Sequence, residues 1–215
     1  MQNAKHGTIS TKEAAVRFTS IRHIAHIRRA PPTDSPEEAI YLCADHHTII
    51  DKVESDWPTP TLQALKETHE SLVRQAIEVA FADVAFPELR NAVSWVTKQT
   101  PTVNGSFDLV APEAKIKKNA LSNGSRHIVA AGLTSRVTVG KYVEAAAQLD
   151  SDFPERLKAG FLEEYYARRK EGHKGDELFE LMCAFAQQGL RRQADKTAGI
   201  AVLIYLFEIC DVFEK

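Results

Sequence analysis

Two histidines and an aspartate are the residues whose types and spacing could do chemistry. His47 and Asp51 stand four residues apart in a stretch that reads as helical from Asp45 onward. On a helix that spacing puts both side chains on one face, with Cβ atoms about 5–6 Å apart, so one divalent cation can take an imidazole nitrogen and a carboxylate oxygen together. Two protein ligands leave positions open for a substrate oxygen and for water, as a catalytic metal requires. His26, upstream, supplies a second function, because an imidazole titrates near neutrality and can take a proton from water. A base and a held cation suit phosphodiester hydrolysis, which needs an activated water, counter-charge for crowded oxygens and help for the leaving oxygen.

These residues have to be positioned by short elements. Residues 20–27 and 38–43 are rich in apolar and β-branched side chains and read as strands, so the expected order is strand, loop, strand, helix. Arg28 and Arg29 stand where the first strand ends, ahead of a loop broken by Pro31, Pro32 and Pro36. Beside a catalytic base the two guanidinium groups could hold a phosphate through several donors, and a solvated basic pair fits them equally well. Asp56, Trp57 and Pro58 end the motif helix, and Thr59 before Pro60 opens another that runs past His69 towards Ala82. Lys66 and His69, three apart on that helix, either face the site or, for His69, lock the helix against the hairpin. Each residue also has a plainer reading. Adjacent histidines are often surface residues, Cys43 suits a small buried apolar position, and His46 could brace the turn into the helix.

With these residues in place the sequence resembles a family. Ala25, His26 and Ile27, then Leu42, Cys43, His46, His47, Ile50 and Asp51, then Trp57 and Pro58, then Leu65, Lys66, His69 and Glu70, are similar to the HNH endonucleases. The likeness covers about the first third of the chain. It implies a ββα-metal fold with His26 as general base and His47 as a metal ligand. Asp51 takes the position where many members carry a second ligand. The implied cofactor is a divalent ion (Mg, Mn, Ni or Zn) and the implied substrate is DNA, with other nucleic acid not separable. Two positions depart from the pattern. No cysteine precedes Cys43, so Cys43 and His46 make half of the zinc knuckle that many relatives close, and Ala39 stands where the family's asparagine usually opens the second strand. These departures keep a second reading open, a non-catalytic adaptor with a degenerate HNH fold that docks on partner proteins.

Composition bounds the remainder. With 44% hydrophobic and 26% charged residues over 215 positions, the chain is expected to be an ordinary globular protein with room for two small domains. A formal charge of -2 provides no global basic field, so nucleic-acid binding has to come from a local patch or a partner. Cys43, Cys183 and Cys210 form no Cys-x-x-Cys pair, the first residues carry no charged leader with an apolar core, and the longest apolar run, residues 199–207, is too short for a bilayer. A cytoplasmic protein with no membrane partner is expected.

The expected fold class is α+β, a small N-terminal hairpin-helix core followed by a mostly helical domain. Residues 1–85 are assigned to the nuclease-like part, 86–111 to a connecting segment and 112–215 to a helical protein-interaction module. Helices are expected over 112–121, 136–149, 152–170, 177–188 and 194–214, with a Ser-Asn-Gly turn at 122–124. The last of these is apolar on nearly every face and must be buried in a bundle or a partner, with Tyr205, Phe207 and Phe213 as anchors wherever they remain exposed. Its residues Ile200 to Tyr205, Phe207, Glu208 and Cys210 to Glu214, after Gly175 to Phe179, are similar to the C-terminal domains of effectors in prokaryotic ABC-three-component systems. That resemblance implies an effector of a defence-like assembly, docking on other proteins of the system, an ATPase among them.

Overall fold

The computed structural model describes residues 22–26, 39–98, 103, 105–107 and 111–213, without the side chains of 22–26 and Glu54. The described residues are largely helical, and the chain divides into two compact units, Met1–Leu72 and Val73–Lys215.

In the first unit β1 (Arg22–His26) and β2 (Ala39–Cys43) pair antiparallel, from Arg22 opposite Cys43 to His26 opposite Ala39. Strand alternation is legible in β2. Tyr41 is 64% exposed, whereas Ile40 and Leu42 on the other face pack with Trp57 against buried Ile50 and Leu62. Cys43 ends the strand in an extended conformation and is at once the N-cap of α1 (Ala44–Lys52). Asp45 in the first turn and Lys52 in the last both complement the helix dipole. Ile50 shares its cluster with Ile40 and Leu42, so α1 packs on β2. A 3₁₀ turn (Glu54–Asp56) and Pro58 stop the chain before α2 (Thr59–Ala82), which carries Pro60 in its first turn, where no N–H is needed.

The division between the units falls within α2, at Leu72 and Val73, well before the connecting segment expected over 86–111. Much of that segment is core. In α3 (Phe86–Val93) the residues Leu89, Ala92 and Val93 are buried at helical spacing, Val96 follows in a 3₁₀ turn (Val96–Lys98), and all four join the main cluster of the second unit.

That unit continues through α4 (Pro112–Lys118), α5 (Asn123–Leu133), α6 (Arg136–Leu149), α7 (Phe153–Lys170), α8 (Gly175–Ala186) and α9 (Gln193–Ile209). As its all-round apolar sequence demands, α9 is the central helix, in contact with α3, α5, α6 and α8. Two glycines allow the close approach. A Cβ on Gly132 of α5 would stand 2.7 Å from Ile204 Cγ1, and one on Gly199 would overlap the backbone carbonyl of Ala186 in α8.

Helix α5 was not expected beyond its opening turn. Its start is organised from outside: the Asp176 carboxylate of α8 accepts from Ser122 N at 3.0 Å and from Ser125 Oγ at 2.6 Å. Burial pushes the Asp176 carboxyl up, but these hydrogen bonds outweigh it and hold the group below its ordinary range. At the end of α7, Gly172 (φ +97°) lets its own N–H reach the Arg169 carbonyl and that of His173 reach Arg168, closing the helix as a Schellman motif.

The stretch after α9 corrects two expectations. The helix stops at Ile209, short of 214, because Cys210 turns extended and the buried Lys115 of α4 draws the carbonyls of Phe207 (2.6 Å), Cys210 (2.5 Å) and Val212 (3.0 Å) onto its ammonium. Asn119 Nδ2 donates to the Phe213 carbonyl at 2.8 Å, which helps hold Phe213 at φ +64°, a backbone region costly for a bulky residue. Phe207 and Phe213 are completely buried, their rings 5.2 Å apart with Tyr165 and Phe179 around Phe213, so neither is an interface anchor; Tyr205 is half-buried. Asp211 accepts from Ser106 N and Oγ, at 3.1 and 2.6 Å.

Candidate functional site

The residues brought together are the pair read from spacing. His47, at 30% exposure, and Asp51, at 58%, face each other across one turn of α1, with His47 Nδ1 2.9 Å from Asp51 Oδ2. The helix is fixed where it must be to hold them, since Ile50, between the two, is its buried residue and anchors it on β2. An imidazole nitrogen and a carboxylate oxygen on one exposed face form a donor set that fits a divalent cation keeping several waters. Among the described residues no group of three or more His, Cys, Asp and Glu side chains gathers into a fuller site.

One turn earlier, Cys43 Sγ lies 2.9 Å from His46 Nδ1. Cys43 is therefore half-exposed and tied to an imidazole rather than a small buried core residue, and His46 braces the turn from strand to helix. The three-residue step from N-cap to third helical position was the available signal, because those two side chains meet across a first turn. Burial pushes the Cys183 thiol up to about 12 and the Cys210 thiol up to about 11, which makes both inert.

The remaining candidates are placed unevenly. His26 closes β1, and the register puts its backbone opposite Ala39, the first residue of β2. Its side chain, and Arg28 and Arg29 altogether, lie outside the described residues. On α2, Lys66 is 17% exposed and pairs with Glu70 at 3.6 Å, while His69 is exposed. The second unit has a cavity of about 410 Å³ between α2 and α5, lined by Arg74, Ile77, Val79, His127 and Ala131 among others, and none of the candidate residues contributes to it.

No family model, no curated protein and no solved structure matches this chain. No helix among the described residues is long and apolar enough to cross a membrane.

Proposed function

We propose that the first unit is a metal-dependent endonuclease of the HNH type, hydrolysing DNA phosphodiester bonds, and that the second unit docks it on other proteins of a multi-component prokaryotic defence system. The observation that carries this reading is the join of an antiparallel hairpin to a helix that holds His47 and Asp51 one turn apart, 2.9 Å from each other, in the order the HNH resemblance implies. In this reading His26 takes the proton from the attacking water. His47 and Asp51 hold the site for the cation, and Lys66 and His69, with Arg28 and Arg29, contact the phosphate backbone. The cation, when bound, supplies positive charge against the phosphate and the leaving oxygen. A catalytically silent adaptor is the second reading, and Ala39 favours it: the first residue of β2 offers only a methyl group where the family relies on an amide to fix the metal loop.

Plasmid digestion with Mg²⁺, Mn²⁺, Ni²⁺ or Zn²⁺, in the presence of the proteins encoded beside this one, separates the two. Wild-type protein should nick or linearise DNA, and His26→Ala should lose at least about a hundredfold in rate, the usual contribution of a general base, with an unchanged melting temperature. Equal cutting by both would remove His26 from the mechanism. No cutting under any of these conditions would leave the adaptor.

A further inference from the structure

We propose that the cavity between α2 and α5 is a binding site for a small apolar molecule that carries a single negative charge, such as a medium-chain carboxylate. The inference goes beyond the nuclease reading and does not depend on it, because the residues that line the cavity, from Arg74 of α2 to Thr134, belong to the second unit. At about 410 Å³ the cavity falls within the size range of small-molecule sites, roughly 300–1,000 Å³.

Its shape follows from how the two helices meet. Ser135, buried just beyond the end of α5, donates its hydroxyl to the Phe81 carbonyl near the end of α2 at 2.6 Å, so the helices are joined at their C-terminal ends. Around the cavity stand Ala82 of α2 and Ala130 and Ala131 of α5, whose methyl groups are too small to fill the space between them. Ile77 and Val79 complete an apolar wall. Water against that wall finds few groups to bond to, so an apolar body that displaces it gains.

The polar groups are distributed unevenly. At the joined end Thr134 Oγ1 already donates to the Ala131 carbonyl at 2.6 Å. Arg74 and His127 lie about two turns before Phe81 and Ser135 along their respective helices, so both stand towards the other end of the cavity. A guanidinium has five donors in a fork and can serve a carboxylate in addition to the contact Arg74 already makes, and an imidazole N–H adds another donor. Glu78 is the one carboxylate among the lining residues. An ammonium drawn to it meets Arg74 one turn away on the same helix, and a dianion is repelled by it. The monoanion, held by donors converging from both helices, is the class that fits.

The test titrates the full chain with octanoate, octanol and octylammonium, following backbone amides and side-chain methyls by NMR. Octanoate should shift the signals of Ile77, Val79, Ala130 and Ala131 and bind at least about tenfold more tightly than either other probe, as charge-assisted hydrogen bonds imply. Arg74→Gln together with His127→Ala should erase that preference and leave octanol unaffected. Ala130→Leu, at an exposed position on the wall, should abolish octanoate binding with the melting temperature unchanged. Shifts that map elsewhere, octanol or octylammonium binding as tightly as octanoate, octanoate binding undiminished by Ala130→Leu, or no octanoate binding at millimolar concentration would each overturn the proposal. Should a variant fail to fold, the three probes on the wild type decide alone.

Discussion

The two units use their most distinctive residues in opposite ways. In the first, His47, Asp51 and His69 stand at or near the surface, and among the described residues Ile50 and Leu62 are buried with Ile40, Leu42 and Trp57 packed against them. In the second, most apolar residues of the C-terminal resemblance, Leu178, Phe179, Phe207, Cys210, Val212 and Phe213 among them, are buried, with Ile200 and Tyr205 half-buried. Both sets are distinctive by type and order alone. Their placement separates them: polar groups near the surface can meet solvent and ligands, whereas an apolar motif that goes into a core describes how the chain packs. Any docking surface of the second unit must therefore be built largely from other residues.

The sharpest way to break this contrast is to cut into each core. Phe207→Ala should destabilise the second unit by about 3–5 kcal/mol, seen in urea unfolding. Leu62→Ala, by comparison, should raise amide exchange only across α1 and the start of α2. Exchange that also rises throughout α9 after the Leu62 change would mean that the cores are not separate. A smaller effect is expected at Lys115. Lys115→Met leaves buried carbonyls at the end of α9 without their donor, at about 1–3 kcal/mol, and a neutral result would show that the ammonium is dispensable there. The smallest is at Asp176, whose loss to alanine should remove about 1 kcal/mol, as for other helix-capping groups. Its folded carboxyl titrates below the unfolded one, so its contribution is complete above the unfolded value and vanishes as pH falls through the folded one. Wild type and Asp176→Ala should accordingly differ in urea midpoint at pH 7 and converge in acid.

How much could be read in advance followed from how strongly each feature depends on periodicity. The His47–Asp51 pair needs only the helical repeat, and α9 needs only its unbroken apolar run, so both were legible. Helix α5 was not, because the face it buries is made of Ser125, Val129, Ala131 and Gly132, small residues that pack tightly while contributing little hydropathy. The division at Leu72 and Val73 has no sequence signal, because α3 buries a short stripe inside a polar-looking stretch and α2 runs unbroken through it. Lys115 and Lys158 are 0% and 2% exposed, although lysine is rarely fully buried and no spacing or composition marks these two as core. Only the packing brings Lys158 to the Gly105 carbonyl at 2.7 Å and over the Phe107 ring. The Cys43–His46 contact is accessible to a spacing argument, although a thiol of this kind is more commonly a core residue.

The central position of α9 has a consequence for the order in which the chain can fold. Helix α3 leaves the ribosome about a hundred residues before the helix it packs on, as the bond from Asn91 to Asp195, 104 positions apart, makes plain. Throughout that interval the apolar faces of α3, α5, α6 and α8 lack their common partner, and the ammonium of Lys115 has none of the three carbonyls it will clasp. The second unit should thus stay open until residues through Val212 have emerged, then close in one late step. Nascent chains halted before α9 should be protease-sensitive across the whole unit, and the window in which chaperones or assembly partners can bind those faces ends with that closure.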